Sequence, residues 1–193
     1  MTATLQGTET LYDGHYKLER VTLEQTRPDG ARQTIRREVF RPGDGAAVLP
    51  IDPGRGTVLL VRQLRAPAMV NGDGPELVEA IAGMVEDDTP EQAVLKEAEQ
   101  EAGVRLHALR PLHRLYPSPG ATAERVHLFL AEYGEADRTA AGGGLEAEGE
   151  NIEVLELPLA DAVAMLRRGE IADMKTAVLL QAALLGEGPG TSA

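Results

Sequence analysis

The sequence predicts a mixed α/β (α+β) fold. Short apolar runs rich in β-branched residues are bounded by turn residues, which is the pattern of strands and hairpins. Three longer segments have helical periodicity or strong helix formers. Strands are followed by helices, with hairpins between, which indicates a mixed α/β or α+β domain.

Each element follows in order. "HYKLERVTLEQT" (15–26) and "ARQTIRREVF" (31–40) flank "RPDG" (27–30), so they read as a hairpin closed by Pro-Asp-Gly turn chemistry. That hairpin is highly charged and poor in core residues, and a two-stranded hairpin is marginal alone, so it has to pack on something. "AAVLPI" and "TVLLVRQLR" flank "DPGRG" and read as a second, more buried hairpin. "ELVEAIAG" (76–83) is one more apolar run, and "HRLYPS", "RVHLFLAEY" and "IEVLELP" read as further strands. Helices are expected at about 90–102, 159–168 and 173–185. "GEADRTAAGGGLEAEGEN" (134–151) is a long Gly/Ala/Glu loop, of a length that in compact domains is functional or disordered. The tail "EGPGTSA" is expected to be disordered. The domain organisation expected is an N-terminal hairpin region over 1–41, a main domain over 42–186 and the tail 187–193.

Composition excludes several functions. The 193 residues are 42% hydrophobic but only 3% aromatic, with no tryptophan, so a stacking platform for single-stranded nucleic acid is not expected. A net charge of −12 repels nucleic acid and anionic membranes. There is no cysteine, hence no disulfide or thiolate site. The opening "MTATLQGTET" lacks a basic and an apolar region, and no apolar run approaches the length of a membrane span. A soluble cytoplasmic protein is the expectation.

The segment "KEAEQEAGV" (96–104) asks for an explanation. Thr89, Pro90 and Gln92 form an N-terminus signature, with threonine as cap and glutamine closing a capping box. Gly103 is the stop. Val94, Leu95, Ala98 and Ala102 make an apolar stripe, with Glu97 and Glu101 on its border. Like charges four apart cost a helix roughly 0.2–0.5 kcal/mol per pair. Partly desolvated carboxylates need a positive partner, and oxygen ligands suit Mg²⁺, Mn²⁺ or Ca²⁺. Two solvated surface glutamates are the plainer alternative.

The wider segment "AGMVEDDTPEQAVLKEAEQEAGV" (82–104) resembles the Nudix box, G-x5-E-x7-R-E-U-x-E-E-x-G-U with U apolar. Gly83 matches the first glycine. Lys96, Glu97, Ala98, Gln100, Glu101, Gly103 and Val104 fall where R, E, U, E, E, G and U belong. The stretch between Gly83 and the helix is one residue short, leaving Asp88 or Thr89 near the place of the early glutamate. Lysine stands for arginine, and Gln100 for one glutamate. "VNGDGPELVEAIAGMVEDD", "LYPSPGATAERVHLFLAEY", "GGGLEAEGENIEVLELP" and "GEIADMKTAVLL" together resemble the GDP-mannose pyrophosphatase branch of that family, close to the ADP-ribose pyrophosphatases.

The resemblance implies an α/β/α sandwich with a mixed sheet and an enzyme that splits the pyrophosphate bond of a nucleotide-sugar. GDP-mannose is the expected substrate and ADP-ribose the alternative; a catalytically weak nucleotide-binding domain is a second alternative. It implies Mg²⁺, or Mn²⁺, held by Glu97, Glu101, the Ala82 carbonyl and Glu150. Glu101, Glu150 and Glu148 are the implied catalytic carboxylates, and loop spacing leaves Glu148 or Glu150 open as ligand or general base. Tyr16, Arg36, Arg37, Glu38, Arg65, Glu124 and Lys175 are the implied substrate contacts. A homodimer with shared active sites is implied, its N-terminal hairpins dimerising. The four histidines have no metal spacing and are expected to be structural. "GGG" (142–144) is not a P-loop, because acids rather than a lysine follow.

Overall fold

The computed structural model describes residues 2–186; the tail expected to be disordered lies outside the described residues. The chain divides into two compact units, one built from Met1–Gly43 and Tyr116–Arg125, the other from Asp44–Leu115 and Val126–Ala193.

The first unit is a three-stranded antiparallel sheet in the order β1 (Thr2–Asp13), β2 (Lys17–Thr26), β3 (Arg32–Arg41). The two-stranded hairpin read from the sequence is therefore incomplete. β1, "TATLQGTETLYD", presents no apolar face, so periodicity did not reveal it; its pairing with β2 from Thr2↔Thr26 to Asp13↔Lys17 makes it a strand. The β2–β3 turn closes with Arg27 N–H donating to Ala31 O at 2.9 Å and Gly30 N–H to Arg27 O at 2.9 Å. Segment 121–123 runs along β3: Phe40 N–H donates to Ala121 O and Ala123 N–H to Phe40 O, both at 2.9 Å. Taken in the single chain, no residue of β1–β3 is buried.

The second unit is a seven-stranded mixed sheet between helices. Its strands are β4 (Asp44–Asp52), β5 (Thr57–Leu64), β6 (Glu76–Glu79), β7 (Ile81–Val85), β8 (His107–Leu115), β9 (Val126–Glu132) and β10 (Glu153–Pro158). The helices are α1 (Ala66–Asn71), α2 (Pro90–Ala102), α3 (Leu159–Arg168) and α4 (Met174–Leu184). Side chains alternate across the sheet, so each central strand feeds two cores. Ala47, Leu49, Val58, Leu60, Leu128 and Leu130 pack with α3 and α4, while Ala46, Val48, Leu59, Val61 and Phe129 pack with α2. This is the α/β/α sandwich expected, and it explains why β4, β5 and β9 read as continuous apolar runs.

The second hairpin is a hairpin only at its tip. β4 and β5 pair at Ile51↔Val58 and Asp52↔Thr57, then part. β6 pairs with β5 from Val61↔Glu79, and β7 pairs with β4 from Val48↔Ile81. The run "ELVEAIAG" is thus two strands broken at Ala80, not one. β4 gains its other neighbour from the parallel strand β9, from Gly45↔Val126 to Ile51↔Glu132. Two further readings need correction. The strand placed at "HRLYPS" begins earlier, at His107, and ends at Leu115. Three helices were expected, but a short fourth, α1, follows β5, with Pro67 in its first turn and Gly72 at its end.

Candidate active site

α2 is built as its sequence requires. Thr89 Oγ1 accepts from Gln92 N–H at 3.3 Å, and Gln92 Oε1 accepts from Thr89 N–H at 3.0 Å, completing the capping box. The chain leaves the helix at Gly103 in the left-handed region, φ +60°, where a side chain would be strained. Ala93, Val94, Ala98 and Ala102 are buried against the sheet, whereas Leu95, assigned to the stripe from the sequence, is 38% exposed. The buried residues are mostly small, so the helix sits close to β7.

That closeness places both glutamates. A methyl group at Gly83 would overlap the Glu97 carboxylate, so Glu97 lies directly on the backbone of β7. Glu101 is 1% exposed. Its Oε2 accepts from Ala82 N–H at 3.3 Å and its Oε1 from Gln63 Nε2 on β5 at 3.4 Å. Burial, then the charge of Glu97, pushes its pKa up to about 8; Glu150 adds to the rise, and the Ala82 amide and Arg65 oppose it. Such a carboxylate is short of positive charge.

Glu150 comes from the 134–151 loop, which holds 3₁₀ turns at Glu135–Asp137 and Glu146–Glu148 and is otherwise irregular. Its Oε2 accepts from Leu145 N–H at 2.8 Å. The backbone of Glu148 ends the second of these turns; its side chain is not described.

Beside Glu101 stands Arg65, which follows β5. Its Nε lies 3.0 Å from Oε1 of Glu79 and its Nη2 2.7 Å from Oε2. Burial disfavours its charge, but the hydrogen bond and charge of Glu79, with Glu101 and Asp173 behind them, raise its pKa above the ordinary value. Lys175 Nζ donates to Asp173 Oδ1 at 2.6 Å. Asp173 also caps α4, accepting from Thr176 N–H at 2.9 Å, and Thr176 Oγ1 accepts from Ala80 N–H at 2.7 Å. So Ala82, Glu97, Glu101, Glu150, Arg65 and Lys175 all belong to the second unit, tied to the β6–β7 bend or to Glu101.

The remaining predicted contacts belong to the first unit. Tyr16 meets Phe40 edge-on with ring centroids 5.2 Å apart. Glu124 follows the segment bonded to Phe40, and its N–H donates to Thr122 Oγ1 at 3.0 Å. Arg36, Arg37 and Glu38 are exposed on β3; Glu38 lies 3.5 Å from Arg20, and Arg37 Nη1 donates to Arg36 O at 2.8 Å. Of the histidines, His107 pairs with Asp137 at 2.7 Å and His127 lies 3.9 Å from Asp44.

Among the described residues, no three His, Cys, Asp or Glu side chains are drawn up closely enough to close round an ion. The donor chemistry nevertheless fits a hard divalent cation. Glu101 is buried with excess negative charge around it, and Glu97 and Glu150 contribute that charge. Oxygen donors of this kind suit Mg²⁺ and Mn²⁺.

A mixed sheet sandwiched between helices, with paired glutamates from one helix laid on the adjoining strand, is the arrangement that the Nudix resemblance implies. Residues 41–177 match the family model of the NUDIX domain, and residues 3–40 match that of the GDP-mannose pyrophosphatase NudK N-terminal domain. The chain belongs to the Nudix family and is a Nudix hydrolase. It is 42% identical over 178 residues to a GDP-mannose pyrophosphatase of Escherichia coli O1:K1 / APEC, covering 92% of each chain. It is 43% identical to one of Citrobacter koseri, again over 92% of each chain, and 44% identical to one of Cronobacter sakazakii over 89% of each. Hydrolases of this family generally use divalent metals.

The sequence reading missed Glu79, Gln63 and Asp173. Glu79 had a signal: an acid inside the apolar run "ELVEAIAG", where a buried charge needs a partner. Gln63, in "TVLLVRQLR", carried the same kind of signal as a polar residue in a buried strand. Asp173 is the residue before the last helix, an ordinary N-cap position.

Proposed function

We propose that this protein hydrolyses the pyrophosphate bond of GDP-mannose to GMP and mannose 1-phosphate, with Mg²⁺ as the working ion and Mn²⁺ as a substitute. The observation that carries the reading is the likeness, over about nine-tenths of the chain, to relatives named GDP-mannose pyrophosphatase. ADP-ribose is the rival substrate, and the two share the pyrophosphate.

In this reading Glu97, Glu101, Glu150 and the Ala82 carbonyl hold the divalent ion. When bound, the ion offsets charge on the non-bridging phosphate oxygens and makes water more acidic. Arg65, clamped by Glu79 through Nε and Nη2, turns its remaining Nη1 edge to a phosphate. Glu150, or Glu148, takes the proton of the attacking water; water bonds to one phosphorus and the other phosphate leaves. Gln63 and Ala82 N–H keep the Glu101 carboxylate oriented. Lys175 adds positive charge for phosphate or sugar. Tyr16, Arg36, Arg37, Glu38 and Glu124 contact base and sugar, with Arg36 and Arg37 reaching the partner's site in a homodimer. The setting is cytoplasmic.

Discrimination rests on groups that meet base and sugar, because buried hydrogen bonds left unmade by a wrong ligand are a strong filter. The test is a panel of nucleotide-sugars with Mg²⁺, products separated by ion exchange. GDP-mannose is expected to give the highest kcat/KM. A tenfold advantage for ADP-ribose overturns the substrate; inactivity on every member overturns the pyrophosphatase assignment.

A further inference from the structure

Three consecutive glycines, Gly142–Gly144, lead into the Glu150 loop, and the function above gives them no part. Their backbone caps a helix. The last carbonyls of an α-helix have no intrahelical partner. In α2 they are met in turn by the 138–144 segment: Gly144 N–H donates to Gln100 O at 3.2 Å and Gly143 N–H to Glu101 O at 2.9 Å. Arg138 Nη1 donates to Ala102 O at 3.2 Å, and Thr139 N–H to Gly103 O at 2.7 Å.

Gly143 is bonded on both sides. Its amide holds the Glu101 carbonyl, while its own carbonyl accepts from Ile152 N–H at 3.1 Å, two residues after Glu150. Glu101 therefore presents its carboxylate to the site and its carbonyl to the loop. The fit tolerates only glycine. Gly142 has φ +75° and Gly144 φ +79°. A methyl group at Gly142 would overlap the Glu101 carbonyl and the Ala102 backbone, and one at Gly144 would overlap the Glu150 side chain.

We propose that Gly142–Gly144 is a positioning latch, which sets Glu150 relative to Glu97 and Glu101 by docking its loop on the last turn of α2. The inference rests on the reading of those glutamates given above. It assigns the glycines a role in catalysis without contact with substrate.

Gly149 supplies the control, since it shares a positive φ of +76° in the same loop but has open space where a side chain would go. Gly142→Ala, Gly144→Ala and Gly149→Ala are compared by amide hydrogen exchange, Mn²⁺ binding and kinetics at saturating Mg²⁺. In Gly142→Ala, exchange at Gly143 and Gly144 is expected to rise about 10-fold or more. kcat is expected to fall about 10-fold or more, with KM little changed, because a displaced catalytic group costs rate. Mn²⁺ affinity falls with it. Gly144→Ala meets the Glu150 side chain, its Cβ included, and the tip of Ile152 rather than the backbone of α2, so it is the milder change for folding, and it too loses kcat. Gly149→Ala stays within about 3-fold in all three measures, having strain but no clash. Retained kcat in the folded Gly142→Ala and Gly144→Ala variants overturns the latch, and so does an equal loss in Gly149→Ala. If the wild type hydrolyses no nucleotide-sugar, the pyrophosphatase reading fails by itself, and exchange and Mn²⁺ affinity still decide the latch.

Discussion

Arg65 grips Glu79 side-on, with Nε 3.0 Å from one carboxylate oxygen and Nη2 2.7 Å from the other. The two partners are unequally placed: the Glu79 side chain is 3% exposed and that of Arg65 38%. Removing either therefore has a different cost. Arg65→Ala strands a buried carboxylate, whereas Glu79→Ala leaves a guanidinium that water still reaches. Loss of one partner of a buried pair usually costs 3–5 kcal/mol; Arg65 is partly solvated, so about 2 kcal/mol is expected for Arg65→Ala. Urea denaturation should show Glu79→Ala costing less. The reverse order would mean that the carboxylate is better hydrated than its burial indicates.

The metal site gives a second prediction. Glu97→Gln and Glu101→Gln are each expected to lower kcat by about 100-fold or more, since each removes charge next to the reacting phosphate. EDTA should abolish the wild-type activity. Stability should move the other way for Glu101, which is a carboxylate at 1% exposure. Without metal, Glu101→Gln is expected to melt no lower than wild type at pH 8, because an uncompensated buried charge has gone. Mg²⁺ should raise the wild-type Tm by binding only the folded state, and should not raise that of the variant. Full activity in either variant would sink the assignment of these ligands.

Gln100 stands where the family box has a glutamate. Its side chain is half-buried, and its carbonyl accepts from Gly144. If the amide weakens metal binding, Gln100→Glu lowers the Mg²⁺ concentration needed for half-maximal activity. An unchanged Mg²⁺ titration means that position 100 lies outside the ion's reach.

Much of this was legible in the sequence because the informative features are local. The capping box at Thr89 and Gln92, the stop at Gly103 and the four-residue spacing of Glu97 and Glu101 are properties of one short segment. The mixed α/β class followed from interspersed strands and helices, and the α/β/α layering from the resemblance to the Nudix box. What stayed hidden depends on distant partners. β1 has no apolar alternation, and only β2 makes it a strand. The break at Ala80 exists because β4 and β5 splay and accept different neighbours, which no run of apolar residues discloses. Leu95 shows the same limit: helical spacing put it on the stripe, and the position of β7 decided otherwise.

Acid sensitivity follows from Asp173. Burial works to raise its pKa, but the charge and hydrogen bond of Lys175, with bonds from Thr176, outweigh it and leave the pKa below its ordinary 3.8. A carboxylate with a depressed folded pKa stabilises the fold above the unfolded value, and the contribution is lost as pH falls through the folded value. Stability should therefore drop below about pH 4. Asp52, Asp137 and Glu170 are depressed too and contribute to the same limb. Asp173→Asn should lower stability at pH 7 and make that limb shallower. Equal slopes in the two proteins would show that Asp173 is not ion-paired in solution.

Assembly is the last prediction. In the single chain no residue of β1, β2 or β3 is buried, and Leu5 and Tyr12 are each 63% exposed. A three-stranded sheet without a buried face has too little apolar contact to hold its own shape. We predict a homodimer formed through the first unit, with Arg36 and Arg37 reaching the partner's site. Deleting residues 1–41 should give a monomer without activity. Arg36→Ala should lower activity while the dimer persists, which separates assembly from substrate contact. Mixing Arg36→Ala with an inactive Glu101→Gln chain is the decisive arrangement. Sites shared between subunits would regain up to about a quarter of wild-type activity in the mixture, since random pairing makes half the dimers mixed and each holds one intact site. Light scattering that shows a fully active monomer at micromolar concentration refutes the dimer outright; a dimer without recovery in the mixture removes the shared site.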